Sequence, residues 1–385
     1  MRAPKMECAA MAFTLTEDET AIQRVVREFA RDRIGLEAAA LADRHDRFPA
    51  DAIAAAAELG LTGILAPDGG LGGTTFALAI DELAQVDPNV AAALVVHNAA
   101  FAMLAALPAG PRREQLASSL AAGELAAFLV AEEATGSDAA QTGTFATPTP
   151  DGYRITGQKV WAVNAAAARH LFVLARVPDK GLTMFVLPAD AAGVSLGEDE
   201  SLLGLRAAGI RTVYLSGVQV PADAMVGAAG QGETAMQAGR RWIQVGAAAA
   251  LCGCVAGALS AAARFAEDRV QFNQPIGLFQ AVSDGITRID VELAAARSLV
   301  LAAAAQAGAD GSVWAARAKA FAAGMAIPMT RQAIRLQGGT GFMRHGGSER
   351  FARDARALQF LGEPTAVQKD EIKRSVLDLP FPPAP

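Results

Sequence analysis

Cysteine is scarce in this chain, and basic residues are outnumbered by acidic ones. Its 385 residues include three cysteines, Cys8, Cys252 and Cys254, too few for a disulfide framework. Cys252 and Cys254 lie two residues apart on a predicted helix, so they point to nearly opposite faces and make poor metal co-ligands. The formal net charge is −6, and the scattered basic residues form no patch of the kind that nucleic acid requires. We expect buried thiols, no metal and no nucleic-acid partner.

Long apolar segments are scarce as well. The longest uninterrupted apolar run, residues 245–259, is shorter than the about 20 residues that a membrane-spanning helix needs. No apolar segment of signal-peptide length precedes Glu17. These features predict a cytoplasmic protein without a membrane span. The abundant alanine and the excess of arginine over lysine indicate a GC-rich bacterial source.

The composition that remains is that of a folded protein with a large core. Hydrophobic residues make up 52% of the chain and charged residues 19%, and the length suffices for two or three domains. A capping box from Thr16 to Glu19 starts a first helix, and apolar residues at helical spacing continue to about residue 124. Short strand-like runs follow, before long helical segments resume near residue 233.

This order predicts an α+β protein in three parts. We expect an N-terminal α-helical domain over residues 1–124, a central antiparallel β-barrel or sandwich domain over residues 125–232, and a C-terminal four-helix-bundle domain over residues 233–385. The expected strands cover residues 128–130, 153–156, 171–174, 184–187 and 213–215.

Short motifs occur in a fixed order along the chain and closely resemble the signatures of the acyl-CoA dehydrogenase family. The resemblance covers essentially residues 12–375. It rests on FTLTE (13–17) with VREFAR (26–31), VAEEATGSD (130–138), GQKVWAVN (157–164), LR (205–206) before VP (220–221), RVQFNQPI (269–276) with FQ (279–280), GGTGF (338–342) and RDAR (353–356).

The resemblance implies an FAD-dependent enzyme that dehydrogenates an acyl thioester. The thioester carrier would be coenzyme A or an acyl carrier protein, and the electron acceptor a protein such as an electron-transfer flavoprotein. The FAD site would be shared between neighbouring chains, which implies a homo-oligomer, usually a tetramer in this family.

The same resemblance implies a set of cofactor and substrate residues. Trp161 would lie against the flavin ring, while Arg269 and Gln271 would bind the pyrophosphate of FAD held by a neighbouring subunit. Val163 stands where the family usually has a hydroxyl side chain, and Arg335 where it has a glutamine. The implied cofactor residues are Leu129, Val130, Ala131, Gly136, Ser137, Trp161, Val163, Arg269, Gln271, Phe272, Gln280, Arg335, Gly338, Gly339 and Thr365. The implied substrate residues are Ser137, Arg241, Gln244 and Glu363.

The catalytic base is the point at which this chain departs from the family pattern. The family's Y-E-G-T, whose glutamate is often the base, is replaced by LGEP at residues 361–364, which displaces the carboxylate by one position. Family members without that glutamate usually supply one from a C-terminal helix, at the position that is Ile243 here. Glu363 is therefore the candidate base, taking a proton while flavin N5 accepts a hydride.

The displacement leaves several reactions open. A one-residue shift moves a Cα atom by about 3.8 Å, and backbone adjustment at this loop would restore ordinary α,β-dehydrogenation. Alternatively, the displaced base would support γ,δ-dehydrogenation of a short 2-enoyl thioester in a biosynthetic pathway, because conjugation acidifies the γ-protons. A flavin-dependent monooxygenase or N-hydroxylase on the same fold would need no base, and a non-catalytic member would retain the fold for binding alone.

Overall fold

The computed structural model describes residues 14–107, 109–136, 138–306, 310–377 and 379 of the chain. Helices, a β-sheet and further helices follow one another in that order, which confirms the predicted α+β class. The first helix begins as its capping box predicts. The Glu19 N–H donates to the Thr16 hydroxyl at 3.1 Å, and the Thr16 N–H donates to the Glu19 carboxylate at 2.8 Å, so two amides at the helix start are satisfied.

Two of the N-terminal helices, α4 (Gly72–Ala84) and α5 (Pro88–Leu104), pack against the longest helix of the C-terminal part. Helix α5 is buried along nearly its whole length and also contacts the first strand of the sheet. The bounds of the N-terminal helices are α1 (Glu17–Phe29), α2 (Leu36–Arg44), α3 (Ala50–Glu58), α4 (Gly72–Ala84), α5 (Pro88–Leu104) and α6 (Pro111–Ala121).

The central sheet has eight strands within the described residues, in the order β6-β7-β3-β2-β4-β5-β8, with β1 beside β4. It is mixed rather than wholly antiparallel, because β1 and β2 each run parallel to β4. Strand-like runs of alternating residues do not reveal this, since relative direction depends on the long-range pairing. The strands are β1 (Ala126–Leu129), β2 (Phe145–Thr149), β3 (Gly152–Ala162), β4 (His170–Val177), β5 (Gly181–Pro188), β6 (Val194–Leu196), β7 (Arg211–Pro221) and β8 (Met225–Val226).

The C-terminal part consists of three long helices, two shorter ones, a single helical turn and a small hairpin, counted over the residues that the structure describes. The longest helix passes through the centre of the helical core. A Cβ atom at Gly253 would lie 2.4 Å from the Asp81 carbonyl oxygen and one at Gly257 2.5 Å from the Phe351 ring, so glycine is required where α4 and a C-terminal helix approach it. The elements are α7 (Gly232–Asp268), β9 (Val270–Gln271), β10 (Gln274–Pro275), α8 (Gln280–Ala305), α9 (Asp310–Leu336), the single turn α10 (Gly339–Phe342), α11 (Ser348–Leu358) and α12 (Thr365–Val376).

Within the described residues, α7 is the one helix that is long and apolar enough to cross a bilayer by length and composition. It extends well beyond the apolar run seen in the sequence. Inside the protein, 78% of the most apolar stretch of this helix is buried. Its apolar character is therefore explained by its position at the centre of the core. Cys252 and Cys254 are buried on it and free, and burial raises the pKa of both thiols. Cys8 lies outside the described residues.

Candidate functional site

A cavity of about 610 Å³ lies where the sheet, α7 and the loop before α12 meet. We call it the apolar cavity. It brings together residues that are far apart in sequence and that the motifs single out: Val130, Ala131, Gly136, Trp161, Val163 and Glu363. The other lining residues are almost all apolar, among them Val96, Met103, Phe128, Leu205, Ile210, Met236, Ile243 and Leu361. Such a wall suits a flat ring and an acyl chain.

The ends of β1 and β3 form the sheet side of the apolar cavity. The Val160 N–H donates to the Ala131 carbonyl at 3.0 Å, which joins the two sequence motifs at this edge. Trp161 has a left-handed backbone with φ of 54°, an uncommon conformation for a bulky residue. Its side chain is 53% exposed and lines the cavity. The end of β3 therefore presents an indole ring rather than burying it.

A buried ion pair that the motifs did not single out as functional supports this edge. The Lys159 ammonium lies 2.8 Å from the Glu132 carboxylate and also donates to the Val130 carbonyl at 3.1 Å. Glu132 accepts further hydrogen bonds from the Gly143 N–H at 2.7 Å and from two threonine hydroxyls. Burial raises the pKa of Glu132, but these donors and Lys159 outweigh it and hold the value at about 2. Both residues lie within motifs that carry the family resemblance, and this position is the sequence signal by which the pair could have been found.

The C-terminal side of the apolar cavity carries Glu363. Gly362 and Glu363 both have left-handed backbones, with φ of 73° and 75°, which glycine adopts without strain and glutamate rarely does. The Gln368 side-chain amide donates to the carbonyls of both residues, at 2.9 Å and 3.1 Å. The loop is thus held from α12, and the Glu363 side chain lies on the cavity wall.

The environment of Glu363 makes its carboxylate more basic than usual. Burial raises the pKa of Glu363, while the Arg240 guanidinium, 3.2 Å away, and the buried Lys319 ammonium oppose that shift. Burial also lowers the pKa of Lys319 to about 7, although Glu363 attracts its charge. Desolvation therefore outweighs the effect of both cations, and the net shift raises the pKa of Glu363. This is the direction that a general base requires.

A second cavity, of about 620 Å³, lies between the β9–β10 hairpin and the end of α9. We call it the basic cavity. It brings together the predicted Arg269, Gln271, Arg335, Gly338 and Gly339, with Thr340 and His345 beside them. Within the described part of the chain, neither Arg269 nor Arg335 has a carboxylate partner. A Cβ atom at either glycine would meet nothing within 4 Å, so both stand beside open space.

The two cavities fit the two ends of FAD. The flavin ring needs an apolar or aromatic wall, and the pyrophosphate needs donors. Trp161 and the apolar residues around it would hold the ring, while the guanidinium groups of Arg269 and Arg335 would bind phosphate oxygens. Phe272 lies at the turn of the hairpin and is 89% exposed.

Several residues implied by the family resemblance line neither cavity. Arg241 donates to the Gln306 carbonyl and stacks over Trp242 at 4.8 Å. Gln244 is buried, and its side-chain nitrogen has no partner among the described residues. The others are Leu129 in the sheet core, Gln280 at the start of α8, Thr365 at the start of α12 and the exposed Phe272. Ser137 lies outside the described residues.

Comparison with known proteins agrees with this geometry. Models of the acyl-CoA dehydrogenase N-terminal, middle and C-terminal domains match residues 16–124, 127–218 and 230–377. A probable acyl-CoA dehydrogenase of Bacillus subtilis is 32% identical over 398 residues, which cover 95% of this chain and 100% of that protein. The short-chain-specific acyl-CoA dehydrogenase of Clostridium acetobutylicum is 31% identical, over 93% of this chain and 98% of that protein.

A solved structure gives the same result in three dimensions. Butyryl-CoA dehydrogenase from Megasphaera elsdenii has a TM-score of 0.91 to this chain at 28% identity, over 95% of this chain and 100% of that one. Family models for all three domains, relatives that match over nearly their whole length and the arrangement of the two cavities lead to one conclusion. The chain belongs to the acyl-CoA dehydrogenase family and is an FAD-dependent dehydrogenase.

Proposed function

We propose that this enzyme oxidises a short acyl thioester between Cα and Cβ, with Glu363 as the catalytic base. The observation that carries the proposal is the distribution of charge on the apolar cavity. Among its described lining residues, Glu363 is the one carboxylate and Arg240 the one cation. Any carboxylate chemistry inside this cavity therefore belongs to Glu363.

The residues of the chain account for the proton half of the reaction. The α-proton leaves as the Cα–H bond breaks, and a Glu363 carboxylate oxygen takes it. Bound FAD supplies the acceptor for the hydride from Cβ, so that a carbon–carbon double bond remains. The apolar walls exclude water from the reacting atoms, which strengthens the electrostatic interactions that stabilise developing charge on the thioester oxygen.

The proposal also specifies the length of the acyl group, the thioester carrier, the electron acceptor and the oligomeric state. The names of two relatives, a short-chain-specific enzyme and a butyryl-CoA dehydrogenase, support a short acyl group. A cavity of about 610 Å³ is in the range that holds one drug-sized ligand, so a ring on its wall leaves room for a short chain. We infer coenzyme A or an acyl carrier protein as carrier, an electron-transfer flavoprotein as acceptor and a homotetramer whose neighbouring chains share each FAD.

An anaerobic panel of acyl thioesters tests the reaction. Purified holoenzyme is mixed with butyryl, hexanoyl and branched thioesters, each on coenzyme A and on a carrier protein, while the flavin absorbance is recorded. We expect bleaching with short saturated thioesters and a 2-enoyl product. The free acids serve as controls, because without the thioester the α-proton is too weakly acidic. Bleaching by no thioester, with rapid NAD(P)H-linked oxygen consumption instead, would contradict the proposal in favour of a monooxygenase.

The second candidate is γ,δ-dehydrogenation of a short 2-enoyl thioester. The one-residue displacement of the carboxylate and the left-handed backbone of Glu363 favour it, because both alter where the base meets the chain. Crotonyl thioesters in the same panel distinguish the two reactions. A dienoyl product formed faster than any 2-enoyl product would replace the α,β proposal with this one.

A further inference from the structure

We propose that Glu371 is a positioning residue for the base. By holding the second terminal nitrogen of Arg240, it keeps this guanidinium from closing a two-nitrogen pair on Glu363. The inference rests on the proposed role of Glu363 and concerns what controls that carboxylate.

The geometry of Arg240 differs from that of Arg297, another partly buried arginine that faces a carboxylate. Its Nη1 lies 3.2 Å and 3.4 Å from the two Glu363 oxygens, and its Nη2 lies 3.6 Å from Glu371 Oε2. By contrast, Arg297 approaches Asp81 with two nitrogens at 2.7 Å each. A guanidinium that faces one carboxylate prefers this fork-like pair. Arg240 does not form it because its two terminal nitrogens are divided between carboxylates from different elements.

Glu371 has little else to stabilise its charge. Its Oε2 is buried and has no hydrogen-bond donor among the described residues. Burial raises the pKa of Glu371, Arg240 opposes this shift, and the nearby Glu363 adds to it. The charged groups that face Glu363 are thus Arg240 from α7, Lys319 from α9 and, across the guanidinium, Glu371 from α12. Because both side chains are largely buried, solvent screens the attraction between Glu371 and Arg240 only weakly.

This division of Arg240 preserves the basicity of Glu363. A closed two-nitrogen pair would stabilise the ionised carboxylate and make it a poorer proton acceptor. When Glu363 takes the substrate proton, it stops balancing the charge of Arg240, and Glu371 remains as the counter-ion. The cation in the cavity is thus balanced both before and after proton transfer.

The test is the pH dependence of anaerobic flavin bleaching in the holoenzyme, with butyryl-CoA as the probe. In Glu371→Gln, Arg240 is released to pair fully with Glu363. We expect the acid limb of the rate profile to move to lower pH by about one unit and the plateau rate to fall several-fold, because the base is weaker. The matched control is Asp370→Asn, which removes a partly exposed carboxylate, paired with Arg374, from the neighbouring position of the same helix. We expect it to keep the wild-type profile.

A double-variant cycle separates positioning from a merely structural role. In the Arg240→Gln background, the effect of Glu371→Gln on the acid limb should fall to less than half. A structural role would lower the yield or the melting temperature without moving the limb. Should Glu371→Gln not fold, Glu371→Asp is used, since its shorter reach releases Arg240 in part and predicts a smaller shift in the same direction.

Three outcomes would overturn the proposal. An unchanged acid limb in Glu371→Gln, or an undiminished shift without Arg240, would remove Glu371 from this role while leaving Glu363 as the base. Full bleaching by Glu363→Gln would instead overturn both proposals. The two failures are therefore distinguishable in one set of variants.

Discussion

The apolar and basic cavities have nearly the same volume, about 610 Å³ and 620 Å³, yet their chemistry is opposite. Among the described lining residues of the apolar cavity, charge is confined to the neighbouring pair of Arg240 and Glu363. In the basic cavity, Arg269 and Arg335 are exposed and stand beside glycines with open space around them. The difference indicates that the reaction and the anchoring of the cofactor are assigned to separate parts of the chain. A substitution that impairs one of these two functions should therefore leave the other intact.

The wall of the apolar cavity depends on the Glu132–Lys159 pair. Glu132→Gln leaves the buried Lys159 ammonium without its counter-ion, which should lower the free energy of unfolding by about 3–5 kcal/mol at pH 7. Urea unfolding of the holoenzyme measures this effect. Glu133→Gln, an exposed neighbour, is the matched control and should change the urea midpoint very little.

Lowering the pH should reduce the difference in the free energy of unfolding between wild type and Glu132→Gln. The pKa of Glu132 falls from an ordinary 4.5 to about 2 in the folded protein. Its contribution is therefore complete above pH 4.5 and is lost as the pH falls toward 2, an effect of about 3 kcal/mol. Wild-type stability should drop over this window relative to Glu132→Gln. A constant difference between pH 6 and pH 3 would show that the pair does not hold the edge of the cavity.

The basic cavity should fail in a different way. Arg269→Gln removes one cationic donor to the FAD phosphates, so we expect the affinity for FAD to fall about 10- to 100-fold. The bleaching rate of the FAD-loaded fraction should stay within about twofold of wild type, because Glu363 is untouched. FAD titration by fluorescence measures the first quantity. Arg264→Gln, at an exposed arginine of α7, is the control. Slow bleaching at full FAD loading would contradict the division of labour.

The smallest effect is expected from a substitution on the sheet side of the apolar cavity, where the flavin ring would bind. Val163 is buried on the wall where the family usually has a hydroxyl. Val163→Thr adds a donor at nearly constant volume, and an unpaired buried hydroxyl costs about 1–3 kcal/mol. We expect the bleaching rate to rise by less than tenfold if the hydroxyl reaches the flavin. A lower melting temperature of the holoenzyme with no gain in rate would show that backbone groups already satisfy the ring.

The sequence predicted the fold class, and most of the site residues that its motifs imply line one of the two cavities. Motifs separated by tens of residues, such as those around Trp161 and Gly338, carried enough information because each has a strict local pattern. Strand direction was not predictable in the same way. The parallel pairing of β1 with β4 depends on where the chain returns after two intervening strands.

The charged environment of Glu363 was also beyond the sequence. Arg240, Lys319 and Glu371 come from three helices, and no spacing rule relates them. Their effect depends on burial, which only the packed structure reveals. Likewise, the left-handed backbone at Glu363 could not be read from a residue type that rarely adopts it. The sequence identified the displaced carboxylate, and the structure showed that it still lies on the cavity wall.

The most direct test of the central claim is anaerobic bleaching of the Glu363→Gln holoenzyme by butyryl-CoA, measured beside its FAD content. A general base contributes about 10²- to 10⁴-fold to the rate. We predict a loss of this size while FAD remains bound at the wild-type level, because the basic cavity is intact. Bleaching at the wild-type rate would contradict the assignment of proton abstraction to Glu363 in the apolar cavity.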